Sequence, residues 1–175
     1  MSLKSKVSST TKAVVKVLTP APDAPEDTDI LKTLRREHEE VSSLLKDLQD
    51  ADTASQRRGL VQKIKATLIP HTKAEEKVVY DAVLALRDKE AQIDGYEGYL
   101  EHEWASKTLQ RLQAIQNATS PEHKATAKVL KELVEHHIRE EENNIWTDVE
   151  DNFSDEQRIQ MNVAFERAKA RVRPR

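Results

Sequence analysis

Two stretches decide how this chain is read. One is His71-Thr72-Lys73-Ala74-Glu75-Glu76, with Val79, Tyr80 and Val83 behind it; the other is His137-Ile138-Arg139-Glu140-Glu141-Glu142, with Ile145, Trp146 and Val149 behind it. They are one pattern written twice. Each is preceded by a histidine between two glutamates, Glu37-His38-Glu39 before the first and Glu101-His102-Glu103 before the second. An internal repeat is the first thing to explain in a chain, and here the repeated residues are metal-binding types.

Composition narrows the fold. Charged residues make up 34% of the 175 residues, aromatics 4%, and there are three glycines. That suits long amphipathic helices and argues against a sandwich or barrel. A net charge of −3 and a pI near 6.1 give no basic field, so nucleic acid is not an expected partner. With no cysteine, disulfides, thiolate metal sites and cysteine nucleophiles are excluded. No apolar run approaches the roughly 18 to 20 residues that span a bilayer. No membrane association is expected, and the expected compartment is the cytoplasm.

Residues 1–28 stand apart. Lys4, Lys6, Lys12 and Lys16 occur among serines and threonines with no acid before Asp23, and Pro20, Pro22 and Pro25 rule out a continuous helix. The stretch reads as a mobile basic arm with a proline-containing linker. The alternative is an organelle transit peptide, which the absence of arginine weakens.

Residues 29–151 carry helical periodicity. Asp27 or Thr28 is the expected cap of a first helix, whose stripe is Leu31, Leu34, His38, Val41, Leu45 and Leu48. A second, with Ser55 as its cap, runs to about Arg87 through Leu60, Ile64, Leu68, His71, Glu75, Val78 and Ala82. Pro70 inside it removes one backbone bond and predicts a kink. The third starts between Asp88 and Tyr96 and passes through His102, Ala105, Leu109 and Leu112. Ser120-Pro121 opens a fourth, expected to run unbroken to about Asp151 through Leu130, Leu133, Val134, His137, Glu141, Ile145 and Val149. In residues 152–175, Ser154 and Gln157 form a capping pattern for a fifth helix to about Val172, with Ile159, Val163 and Phe165 for packing. The expected fold is all-α: an up-down-up-down antiparallel four-helix bundle with an additional C-terminal helix and the N-terminal arm.

A histidine and a glutamate four apart lie on one helix face, with Cβ atoms about 5 to 6 Å apart. His71 with Glu75 and His137 with Glu141 each point at one place, and His38 and His102 add an imidazole apiece. All six lie on inward stripes, where polar groups are costly unless paired or coordinated. Successive histidines lie roughly thirty residues apart, so each helix returns to the same level in a bundle whose residues rise about 1.5 Å each. Four imidazoles and two carboxylates suit two ions bridged by the carboxylates, iron or manganese, with zinc compatible. A lone histidine on an apolar stripe is usually a core residue; four in a repeated frame are not explained that way. Glu37, Glu39, Glu101 and Glu103 point sideways by the helical rotation and are expected to be solvated or at most to support the ligands. Glu76, Glu140 and Glu142 read as a charged face, and His123 and His136 fall outside the site.

These residues resemble the hemerythrin-like, HHE cation-binding family. The resemblance spans about residues 28–151 and rests on His38, the His71-to-Glu75 frame, His102 and the His137-to-Glu141 frame, in that order. It implies a non-haem di-iron centre whose two iron ions are bridged by the two glutamates, and reversible binding of dioxygen or a related sensing, storage or iron-handling role. The oxygen carriers of the family have a fifth histidine, one turn from the other on the third helix. Here Gly98 and Ser106 lie one turn from His102. That departure puts simple oxygen transport in doubt and leaves room for peroxide or nitric oxide as the small ligand. The ferritin-like di-iron proteins use Glu-x-x-His frames, opposite to these.

Three functions remain open at this point. The first is a di-iron protein that binds or senses dioxygen. The second is an oxidoreductase on the same centre, for peroxide or nitric oxide detoxification or iron-centre repair. The third is a metal-free helical interaction module. Tyr80 and Trp146 are candidates for shielding the centre.

Overall fold

The computed structural model describes residues 28–173; the expected arm lies outside them, apart from Thr28. The described residues are helical and contain no strand. Four long helices run α1 Ile30–Asp50, α2 Ala54–Glu75, α4 Lys89–Ala114 and α5 Pro121–Asn143. After α2 come a π-helical turn, Glu76–Tyr80, and the short α3, Asp81–Leu84. After α5 come α6, Ile145–Asn152, and α7, Asp155–Arg171. Among the described residues no helix is long and apolar enough to cross a membrane.

The helix starts follow capping chemistry, at slightly different residues from those expected. Asp29, not Asp27 or Thr28, accepts from Leu31 N–H. Thr53, not Ser55, caps α2, in a reciprocal box with Gln56. Ser120 and Ser154 cap α5 and α7 as expected. Helix α2 runs through Pro70, and the departure from α geometry comes six residues later. The fourth helix is not continuous to Asp151: it breaks at Asn144, whose φ −107 and ψ −68 lie off the helical values.

Helix α1 packs on α2 and α5, α2 on α4, and α4 on α5, so the four long helices close a ring; α7 lies along α1 and α2. The apolar core falls into two clusters. One holds Leu34, Val79, Tyr80, Ile145, Trp146 and Phe165; the other holds Val41, Leu68, Ala105, Leu109, Leu130 and Val134. Along each long helix the expected ligands lie in sequence between members of the two clusters. His38 comes after Leu34 and before Val41; His71 and Glu75 come after Leu68 and before Val79. One polar layer is thus clamped between two dry ones.

At the far end of the bundle Arg57 is 1% exposed. It donates to the carbonyls of Leu48 at 2.7 Å and Ala51 at 3.0 Å, which are otherwise orphaned at the end of α1. Its Nε donates to His123 Nδ1 at 3.4 Å. A guanidinium can only donate, so this nitrogen must accept and the ring is neutral. Burial and the charges of Arg57 and Arg58 hold His123 below its ordinary pKa.

Candidate metal centre

All six expected residues are buried in the polar layer. Each imidazole turns Nε2 inward. His71 and His102 approach Glu75 Oε2 at 3.2 and 3.4 Å; His38 and His137 approach Glu141 Oε2 at 3.3 and 3.5 Å. The Nε2 atoms of His102 and His137 are 3.0 Å apart. Ligand atoms of His38, Glu75, His137 and Glu141 all lie within 4.8 Å of one another, and His71 and His102 join that group through Glu75.

Each Nδ1 turns outward to a carboxylate on another helix. Glu37 of α1 meets His71 of α2 at 3.0 Å, and Glu76, just past α2, meets His102 of α4 at 3.4 Å. Glu101 of α4 meets His137 of α5 at 2.8 Å, and Glu142 of α5 meets His38 of α1 at 3.2 Å. Every helix hands a glutamate to the next helix's histidine, and the ring closes. Of the two roles expected for Glu37 and Glu101, solvated or supporting the ligands, their contacts are those of support. Glu37 and Glu101 are buried, and Glu76 and Glu142 are not merely a charged face. A side chain rotated 100° from the site direction faces the neighbouring helix rather than water. The signal was present: Glu37 matches Glu101 in the repeat, and Glu76 matches Glu142. Glu39 and Glu103 are exposed as expected, and His136 is half exposed beside Glu101.

A histidine whose Nδ1 is held by a carboxylate has its ring orientation fixed and its Nε2 made more basic. The centre is therefore aimed inward by its own surroundings. Both oxygens of Glu75 and of Glu141 are buried without a hydrogen-bond donor of acceptable geometry, as is His38 Nε2. Buried carboxylates seldom go without partners. A cation among them fits both the orphaned oxygens and the nitrogen and oxygen chemistry of the donor set.

Protons hold the same charge balance without a cation. Burial opposes charge on His38, but Glu141 and Glu142 outweigh it and push its pKa up to about 9. Burial likewise opposes charge on His71, and Glu75 and Glu37 push it up to about 10. Burial raises the Glu75 carboxyl, but His71 and His102 hold it well below its ordinary value.

Around the centre stand Tyr80 and Trp146, the expected shields, and two residues of α7 that the sequence did not place there. From α7, Phe165 stands edge-on to His71 at 5.9 Å between centroids, and Lys169 pairs with Glu37. Trp146 stacks on His38 at 5.7 Å and 15°. Tyr80, 0% exposed, stacks on His102 and brings its hydroxyl to 3.2 Å from His102 Nε2. Burial and the charges of Glu141, Glu75 and Glu101 keep its phenol protonated well above the usual range. A narrow cleft of about 10 Å³, lined by Asp94, Glu97, Gly98, Glu101, His137 and Glu141 among others, reaches the layer between α4 and α5.

Comparison with known proteins agrees with this geometry. The model of the hemerythrin HHE cation-binding domain matches residues 29–147. A curated relative, the "DNA nickase" of Nostoc sp. (strain PCC 7120 / SAG 25.82 / UTEX 2576), is 29% identical over 150 residues. The match covers 86% of this chain and 42% of that protein, so the chain spans less than half the relative's length. No solved structure matches significantly. The match over most of the chain, on the helices that carry the histidine and glutamate layer, shows that this chain belongs to the hemerythrin HHE cation-binding domain family.

Proposed function

We propose that the chain is a non-haem di-iron protein of hemerythrin type that binds or senses dioxygen or a related small ligand. In this reading residues 29–151 are the up-down-up-down antiparallel bundle unit, and α7, Asp155–Arg171, packs on it. His38, His71, His102 and His137 would hold the two iron ions through Nε2, together with the carboxylates of Glu75 and Glu141. The observation that carries this reading is the convergence of four inward Nε2 atoms on two carboxylates that lack hydrogen-bond donors. The donor set also accepts manganese or zinc. An iron pair supplies two electrons to a small oxidising ligand. The chain's own contribution is to hold the nitrogens by the Nδ1 carboxylates and to keep bulk water out with the two apolar layers.

The test is metal analysis after anaerobic iron loading, followed by the visible spectrum in air. Two irons per chain and charge-transfer absorption that appears with oxygen are expected. Less than one iron per chain would sink the reading. An oxidoreductase on the same centre is separated by turnover with peroxide or nitric oxide and a reductant, where a carrier or sensor shows binding alone.

The relative's name raises a nuclease reading, since paired ions cleave phosphodiesters in other folds. It is disfavoured here. Glu75 and Glu141 are 0% and 1% exposed, beyond the reach of a nucleic-acid backbone, and the chain carries a net charge of −3. A supercoiled-plasmid nicking assay with the iron- or manganese-loaded chain decides it, with no nicking expected. We place the protein in the cytoplasm, an organelle being the alternative if residues 1–28 act as a transit peptide.

A further inference from the structure

We propose that the Tyr80 hydroxyl is a direct metal ligand, completing the coordination of one of the two ions and not the other. This rests on the di-iron reading above and deepens it. Three features of the chain put the hydroxyl where a ligand belongs. Two donors about 2.1 Å from one ion and at right angles are about 3.0 Å apart. Tyr80 Oη to His102 Nε2 is 3.2 Å, and His102 Nε2 to His137 Nε2 is 3.0 Å. Both are edges of that size.

The backbone is built to turn this side chain in. In an α-helix the residue above Glu75 is Val79, and Tyr80 would point away. The π turn Glu76–Tyr80 bonds five residues apart, with Asp81 N–H on the Glu76 carbonyl. That brings Tyr80 over Glu75, and π turns within helices are frequent at functional sites. The Tyr99 hydroxyl lies 2.9 Å from the same Glu76 carbonyl and 2.9 Å from Asp81 Oδ1, which pins the turn.

The opposing helix is cut away to receive it. A Cβ on Gly98 would lie 2.8 Å from Tyr80 Cε2 and Cζ. Gly98 is one turn before His102, so the phenol ring fills the space a side chain there would take. The repeat's other half is built differently. Trp146, five residues past Glu141 as Tyr80 is past Glu75, stacks on His38, and Leu34 stands one turn before His38. Indole N–H is a donor only and binds no cation. The two ion positions are therefore chemically unequal, one with a phenol oxygen and one without. On coordination the phenol proton leaves to solvent and its oxygen takes the cation.

The experiment loads the full chain with ferrous iron, exposes it to air and records visible absorption and resonance Raman spectra. A tyrosinate-to-iron band with phenolate ring modes is expected, shifted when the chain is grown on ring-deuterated tyrosine. Y80F should retain two irons and lose the band; Y96F, at a tyrosine 63% exposed on α4, should retain both. Two irons with no phenolate modes, or a Y80F spectrum identical to the parent's, overturns the inference and leaves the di-iron reading standing. Failure to bind iron overturns both. The isotope shift is read on the unsubstituted chain, so a misfolded variant does not spare the proposal.

Discussion

Replacing Glu101 by glutamine tests whether the outward carboxylates do more than fill space. Glu101 accepts from His137 Nδ1 at 2.8 Å in a buried setting. A hydrogen bond to a charged group contributes about 1.5–3 kcal/mol and a neutral one about 0.5–1.5 kcal/mol. The swap keeps the shape and the acceptor oxygen but drops the charge, a loss of about 1.4 kcal/mol, or tenfold in affinity. The loss falls on the metal-bound form, because the carboxylate's pull on the Nδ1 proton makes Nε2 a better ligand. Glu101→Ala, which removes the acceptor, should approach a hundredfold, the upper end for such partners. Glu103→Gln is the control: its side chain is 51% exposed and touches no histidine of the layer. Affinity is read by chelator competition with zinc or ferrous iron at fixed pH, and fold integrity by urea unfolding of the metal-free chain. If Glu101→Gln binds within twofold of the parent, or if Glu103→Gln weakens binding as much, the outward ring does not tune the ligands.

Removing metal should lower the urea midpoint without melting the helices. A ligand present at a thousandfold over its Kd stabilises by about 4 kcal/mol, and loss of far-ultraviolet helical signal on chelation would contradict this. Arg57→Met strands the Leu48 and Ala51 carbonyls and should cost about 1–3 kcal/mol in urea unfolding; metal stoichiometry should not change. The metal-free chain with His123→Phe should lose part of its acid sensitivity. His123 is held neutral, below its unfolded pKa, so its contribution is full above about pH 6.5 and falls as the unfolded chain takes up a proton below that. A parent and variant with the same slope of stability between pH 6.5 and 5 would refute the assignment. Phe165→Ala should cost about 3–5 kcal/mol by cavity formation, with a separate fall in metal affinity as the wall beside His71 opens.

The long helices and the inward residues were legible because burial repeats at the helical period and the ligands repeat with it. What was not legible came from interactions between helices. Glu37 and Glu103 look alike beside their histidines; only packing decides that one faces α2 and the other water. The π turn at Glu76–Tyr80 and the break at Asn144 have no single-residue signature. Each lies just past the inward glutamate of its copy, Glu75 or Glu141, where side chains leave the α phase. Pro70, the one residue that advertised a kink, sits in a helix that runs through it. The sequence could flag Gly98 as a missing ligand. It could not show that the missing side chain is replaced from across the interface.

The outward ring also explains why the centre is preformed. Each of its four contacts joins a different pair of neighbouring helices: α1 to α2, the end of α2 to α4, α4 to α5, and α5 to α1. Three of them are hydrogen bonds, and the fourth, His102 Nδ1 to Glu76, is an ion-pair contact at 3.4 Å, so turning any helix about its axis disturbs a contact to each neighbour. The rings are thus oriented before any cation arrives, by contacts the cation does not need to displace. Inside the ring, raised pKa values on His38 and His71 let protons balance Glu75 and Glu141. Loading then exchanges protons for metal within a fixed frame, so affinity is not spent on ordering the helices. The repeat supplies this frame twice over, and the two copies diverge only one step beyond it. There Tyr80 and Trp146 face His102 and His38, so specificity is written in the residues the symmetry does not constrain.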